Sequence, residues 1–289
     1  MNLLPQWERA RYQLLDSLAA RSMGGTNAYV HMISRVEEVL QRERSRTAIN
    51  RISRALDLAP RDSRQIYRQC LASEAREEAD SARLLVSGQP IAEAVEATPP
   101  FSPVDGPCIY ITLHWGSPMI TFLYLRSVLG IPVRLIGRPL DKSNPLPPGK
   151  MRWGHRKVEW MEALTGESFI PDDGAGALQA RTELLEGRSI FASVDVPAQP
   201  TSRSRVIDLF GEPIRIASGL LRLAALTKVP LVPILGHSCG QKIHVAHEEP
   251  IPAAREEELA ESIGIWLRKT LARQPDQWWL WPFVHVEKP

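Results

Sequence analysis

The stretch "CIYITLHWGSPMITF", residues 108–122, decides the fold. It runs apolar and β-branched from Cys108 to Leu113, reaches a lone histidine at His114, turns through Gly116 and Ser117, and resumes apolar after Pro118. A short apolar run bounded by turn residues reads as a buried strand. Pro118 suits the first position of a helix, and helical texture follows it. Strand, sharp turn and helix open a βαβ unit and place His114 at the carboxyl end of the strand. In open α/β sheets that rim is where ligands sit. A helix starting at Pro118 offers unpaired N–H groups, so Trp115, Gly116 and Ser117 are expected to cradle an anion beside the imidazole. A histidine satisfied within the core is the competing reading.

Outward from this unit the texture repeats. Apolar strands are legible at 107–113, 131–136, 188–195, 229–235 and 242–247, with helical patterns at 118–129, 174–186, 216–228 and 255–273. Strands separated by helices imply an α/β fold with a mostly parallel central sheet flanked by helices and joined by right-handed crossovers. Gly187 ends one helix as a C′ glycine does. Residues 1–90 form an N-terminal helical region and 91–289 the sheet domain, together expected as one continuous unit. Further helices are expected at 26–44 and 62–85, and 86–106, rich in Pro, Gly and Ala, reads as a connector. Leu3, Leu4, Trp7, Leu14, Leu15 and Leu18 recur at helical spacing, as in a helix packed on the core. An in-plane membrane helix is the other reading of that pattern.

At 289 residues the chain is long enough to bury a full core. Apolar residues at 44% and charged residues at 24% place it among globular chains. A net charge of +2 gives no support to a nucleic-acid partner. Cys70, Cys108 and Cys239 are widely spaced and read as reduced thiols in a reducing compartment. Glu8, Arg9, Arg11 and Asp16 interrupt the N-terminal apolar pattern, which fits neither a signal peptide nor a membrane span. The expectation is a cytoplasmic protein, with peripheral contact to the inner membrane open.

Several blocks then carry a resemblance. "ITLHWGSPMITF", "IPVRLIGRPLDKSNP", "LLEGRSIFASVDVP", "DLFGEPIRIASGLLRLAALTKVPLVPIL" and "RQPDQWWLWPFVH" follow one another in order. With the helical stretch "INRISRALDLAPRDSRQIYRQCLASEA", they resemble the lipid A biosynthesis acyltransferase family, a branch of the lysophospholipid acyltransferase superfamily. The resemblance implies that an imidazole deprotonates an acceptor hydroxyl, which attacks an acyl thioester held on acyl carrier protein or coenzyme A. It gives the base to His114. Arg138 matches an arginine that holds a phosphate or the tetrahedral oxyanion. Asn144, from the Asn-Pro of the second block, joins the substrate-binding set.

The chain departs from the family at one position. The family's imidazole has a carboxylate five residues on, to fix its tautomer and support the imidazolium. Here Met119 stands there, and a thioether does neither. Three readings stay open. A carboxylate arrives from elsewhere, with Asp195 first and Asp172 or Asp173 second. The enzyme works without the acid, on an amine or thiol acceptor. Or the site does no chemistry and the fold is kept for binding.

Two basic clusters complete the inventory: Lys150, Arg152, Arg156 and Lys157, then Arg203 and Arg205. Placed on loops, they suit an acidic acyl or peptidyl carrier protein, phosphopantetheine, or lipid phosphates. His155, in the first cluster, reads as an exposed residue more readily than as a second site histidine. His237, Cys239, His244 and His247 raise a metal site, but positions 244 and 247 of a strand point to opposite faces. Ser117 lacks the Gly-x-Ser-x-Gly elbow of a nucleophile, and neither a Walker loop nor a dinucleotide fingerprint is present. Trp278, Trp279, Trp281 and Phe283 stand too close together all to face inward. They are expected mainly to close the core, with the "WPF" end near the site.

The expectation is therefore an acyltransferase of lipid or natural-product biosynthesis. It moves an acyl group from a carrier-protein or coenzyme A thioester to a hydroxyl or amine. Transfer is direct, in a ternary complex, with no metal or redox cofactor implied. A non-catalytic acyl- or carrier-binding protein is the rival, and thioester hydrolysis by the same histidine is the third reading.

Overall fold

The structure, a computed structural model, describes residues 4–19, 24–141, 144, 146–197 and 203–283. The chain opens with four helices, α1 (Leu4–Ala19), α2 (Gly24–Leu40), α3 (Arg42–Leu56) and α4 (Pro60–Ser87). A short turn of helix, α5 (Ile91–Ala94), leads into β1 (Val95–Ala97). The α/β part follows: β2 (Ile109–Thr112), α6 (Pro118–Leu123) with a π-helical turn at Tyr124–Val128, β3 (Val133–Gly137), α7 (Pro148–Thr165), β4 (Ile170–Pro171), α8 (Gly174–Leu185), β5 (Ser189–Ser193), β6 (Ser204–Leu209), β7 (Glu212–Ala217), α9 (Gly219–Thr227), β8 (Leu231–Cys239), β9 (Lys242–His247) and α10 (Glu256–Arg273).

Seven strands make one sheet in the order β1-β9-β8-β2-β5-β3-β4, parallel except where β9 turns back on β8. The expected α/β architecture is present. β2 lies at its centre with all four residues buried. Its side chains alternate, as a strand requires. Ile109 and Ile111, with Leu113 beyond, enter one apolar cluster with residues of α8, α9 and α10, while Tyr110 enters a second with Ile120, Phe122 and Leu123 of α6. Each such buried side chain contributes about 1.5–3 kcal/mol.

The structure adds elements that periodicity did not show. β1 lies within the expected connector, and β6 and β7 form a separate antiparallel ribbon. The basic stretch after Pro147 is the helix α7, closed by Gly166 with φ +71, rather than a loop. Gly187, with φ +85, follows α8 as expected.

α1 packs on the bundle. Tyr12 and Leu15 are buried with Tyr29, Ile33, Ala75 and Ala79, and Trp7 packs against them. The side chains of Leu4 and Leu18, and all of Leu3, lie outside the described residues. Among the described residues no helix is long and apolar enough to cross a membrane.

α4 is unusual in burying Ser73, Glu74, Glu77, Glu78, Asp80 and Ser81. Buried carboxylates need partners. Arg11, whose side chain is 6% exposed, bonds Glu37 and, at 2.6 Å, Glu78. Tyr12 donates its hydroxyl to Glu78 at 3.1 Å, and Lys157 meets Glu77 at 3.0 Å. Lys150 pairs with Glu74. Burial pushes the Glu74 carboxyl up, but Lys150, Arg44 and Arg11 outweigh it and hold it down to about 2.

Candidate active site

β2 ends at Thr112, and two residues later His114 stands at the carboxyl edge of the sheet. Close packing dictates the turn that follows. Gly116 has φ +58, and a Cβ there would lie 2.2 Å from the Gly236 carbonyl oxygen on β8. A Cβ on Gly236 would meet Thr121 Oγ1 of α6 at 2.1 Å. These two glycines let the turn and α6 press directly on β8.

The next strand supplies the carboxylate. Asp195 follows β5 and is 4% exposed. Its Oδ1 lies 2.8 Å from His114 Nδ1, and its Oδ2 accepts the His114 backbone N–H at 2.8 Å. Trp278, 1% exposed, donates its Nε1–H to the same Oδ2 at 2.7 Å. The C-terminal segment is held there because Trp278 bridges Trp115 and the Trp279 N–H donates to the His114 carbonyl at 2.9 Å.

A carboxylate only accepts, so in the neutral ring Nδ1 carries the proton and Nε2 keeps its lone pair. The side chain of His114 is 37% exposed, so the ring is not walled in. Burial pulls the imidazole pKa down, but the charge and hydrogen bond of Asp195 outweigh it and leave it raised. Lys150 opposes that rise and Glu74 reinforces it.

Of the three carboxylates considered, Asp195 is thus the one that meets the imidazole. Asp173 instead caps α8, accepting the Gly176 N–H at 2.8 Å, and Asp172 is exposed. Met119 packs against the second apolar cluster.

The expected anion cradle is not formed by the amides assigned to it. Trp115 donates to Leu113 O at 2.7 Å, Gly116 to Gln277 O at 3.2 Å, and Ser117 to Gly236 O at 2.5 Å. The turn, the C-terminal segment and β8 take one donor each. Ser117 Oγ is buried 3.4 Å from Ser238 Oγ, and Ser238 donates to Asp80 at 2.6 Å. Asn144 is also spent on its own loop. Its Nδ2 donates to Pro139 O at 3.0 Å and its Oδ1 accepts the Leu146 N–H at 3.2 Å. Arg138 follows the last residue of β3 and is exposed on the same edge, two strands from β2.

The carrier-binding candidates separate. Arg152 and Arg203 are exposed, and Arg156 lies over the Trp153 ring at 5.5 Å. Lys157 is turned inward to Glu77, with its side chain 15% exposed. Arg205 is matched by Glu256 at 3.0 Å and Glu257 at 2.8 Å. Both corrections have one cause: acidic partners from α4 and α10 are distant in sequence. His155 is exposed on α7.

His237 and His244 face each other across β8 and β9 with ring centroids 6.0 Å apart, while His247 packs on Phe101. Burial and the neighbouring His244 lower the His237 pKa. A crevice lined by Phe122, Leu135, Met161 and Phe169 has room for about one water, and His114 is not among its lining residues.

Sequence reading missed Trp278 as a partner of the site, and missed Glu74 and Lys150 in its electrostatics. An indole N–H is a donor that seeks a partner when buried, the one signal that pointed inward at position 278. No protein-family model matches the chain, and no curated protein matches it. The fold and site define an α/β protein with a histidine–aspartate pair at the carboxyl edge of its sheet.

Proposed function

We propose that this chain is an acyltransferase of the lysophospholipid acyltransferase kind, using an acyl thioester on a carrier protein or coenzyme A. The observation that carries the reading is the 2.8 Å contact between His114 Nδ1 and Asp195 Oδ1 at a solvent-reaching sheet rim. The ordered sequence blocks around that histidine support it as well.

In this reading Nε2 of His114 takes the proton from a hydroxyl or amine acceptor as that atom bonds the thioester carbonyl carbon. Asp195 offsets the charge of the imidazolium. The tetrahedral intermediate then collapses, the carbon–sulfur bond breaks, and the imidazolium returns its proton to the departing thiolate. Arg138, exposed on the same edge, is the candidate for holding negative charge. Both nucleophile and thiol belong to the substrates, so no acyl-enzyme is needed.

Intact mass of an acyl-loaded carrier protein tests this, with wild type and His114→Ala, each with and without hydroxyl and amine acceptors. Acceptor-dependent acyl loss with wild type alone is the expected result. Equal loss with both proteins overturns it. A hydrolase would show His114-dependent loss to water, which can reach the partly exposed ring.

A further inference from the structure

We propose that the N-terminus of α9 binds a phosphate ester, that of the pantetheine arm bearing the acyl group. The anion site stands on geometry alone, and the naming of the arm rests on the acyl-transfer reading above.

α9 spans nine residues and runs away from the carboxyl edge, because β8 after it starts alongside the first residue of β2. Its entry is tied to the strand end that carries Asp195. The Ala217 N–H donates to Val196 O at 3.0 Å, and the Ser218 N–H donates to Arg203 O at 3.1 Å. The start of α9 therefore lies at the rim, beside the residue that follows Asp195.

A helix start presents unpaired N–H groups and positive potential. In α9 the Arg222 N–H returns to Ser218 O at 3.0 Å, and the Gly219, Leu220 and Leu221 amides before it have no partner among the described residues. That alone is true of many helices. Ser218 is the second observation. It occupies the N-cap position, is 1% exposed, does not cap its own helix, and its hydroxyl has no hydrogen-bond partner among the described residues. Among the described residues the Thr112 and Thr270 hydroxyls are also buried and unpaired, but of these three only Ser218 stands at a helix start, where an oxygen-rich anion would satisfy it.

The surroundings suit an anion. Gly219 is exposed, and a Cβ there would meet nothing within 4 Å. Arg203 and Arg222 make no ion pair among the described residues, unlike Arg205 beside them. Side chains lean toward a helix start, which carries the Arg222 stem that way. The Asp195 carboxylate on this edge has its oxygens engaged by His114 and Trp278, and Glu256 and Glu257 are paired with Arg205. Amides, a hydroxyl and guanidinium groups together match a tetrahedral phosphate.

Calorimetric titration with 4′-phosphopantetheine, with pantetheine, and with inorganic phosphate as competitor tests the site. Wild type is expected to bind phosphopantetheine at least about tenfold tighter than pantetheine, and phosphate to compete with the first alone. Gly219→Asp is the decisive variant, because an acid at a helix start suits the dipole while occupying the anion position. It should keep or raise the melting temperature and abolish the tenfold preference. Arg222→Gln should weaken phosphopantetheine several-fold and leave pantetheine unchanged. Equal affinity of wild type for the two arms, no binding of either, or a preference surviving Gly219→Asp overturns the proposal. Inorganic phosphate binding without a preference for the phosphorylated arm overturns the assignment to the donor. A preference that persists while His114→Ala leaves acyl loss unchanged sinks the acyl-transfer reading and keeps the anion site.

Discussion

His114 and Asp195 are 81 positions apart in sequence, yet their side chains meet at 2.8 Å because each stands two residues beyond the same register pair, Thr112 and Ser193. Parallel pairing of β2 and β5 is what builds the contact. The contact therefore joins two strand ends, whereas in the family that the sequence blocks resemble the two groups stand within one helical turn.

Asp195→Asn keeps the shape but removes the charge that balances the imidazolium. Acyl-thioester turnover should fall by about 10³-fold or more, as removal of the acid does in other histidine–carboxylate systems. The imidazole pKa should drop as well, since the Asp195 charge is what raises it. Stopped-flow thiol release and NMR titration of the ring read the two effects.

Trp278→Phe keeps an aromatic ring against Trp281, whose centroid is 5.0 Å away, and removes the N–H donated to Asp195. A buried carboxylate oxygen then loses a partner, at a cost of about 1–3 kcal/mol. Urea denaturation measures that loss. With less of its charge drawn off, Asp195 should also hold the imidazolium more strongly, so the ring should titrate at higher pH.

Met119→Asp puts a carboxylate where the resembling family has one. It should not raise turnover, because His114 Nδ1 already faces Asp195 and position 119 packs on apolar side chains. Stability should fall by about 1–3 kcal/mol, checked by thermal melting.

The sheet was legible because β2, β3, β5, β8 and β9 are short apolar runs, most of them set apart by helices and β8 from β9 by a tight turn. Asp195 was legible for the same reason, as an acid at the end of such a run. What hid was set by distant partners. The acids of α4 look like a solvated face until Arg11, Lys150 and Lys157 are folded onto them. The spent amides of Trp115, Gly116 and Ser117 depend on carbonyls at 113, 277 and 236, and two of these three are remote in sequence. β1, with three residues in a Pro-rich stretch, is too short to show a period.

Arg11→Met tests the buried network. It leaves Glu37 and Glu78 without their shared cation, and breaking a buried pair in this way costs about 3–5 kcal/mol. A large fall in the urea midpoint is expected, with protection of α1 and α4 amides lost first in hydrogen exchange.

Folding raises the His114 pKa above its ordinary value of about 6.5, so its contribution to stability is full below that value and fades as pH rises through the raised one. The proposed acyl transfer has the opposite sign, since its base must be neutral. The most direct test is to compare, in wild type and Asp195→Asn, the pH dependence of single-turnover acyl transfer with the NMR titration of His114. One pKa is expected in both curves, above about 6.5 in wild type and shifted down together in the variant. Turnover that ignores the ionisation of His114, or a ring that titrates identically with and without the Asp195 charge, would contradict this expectation.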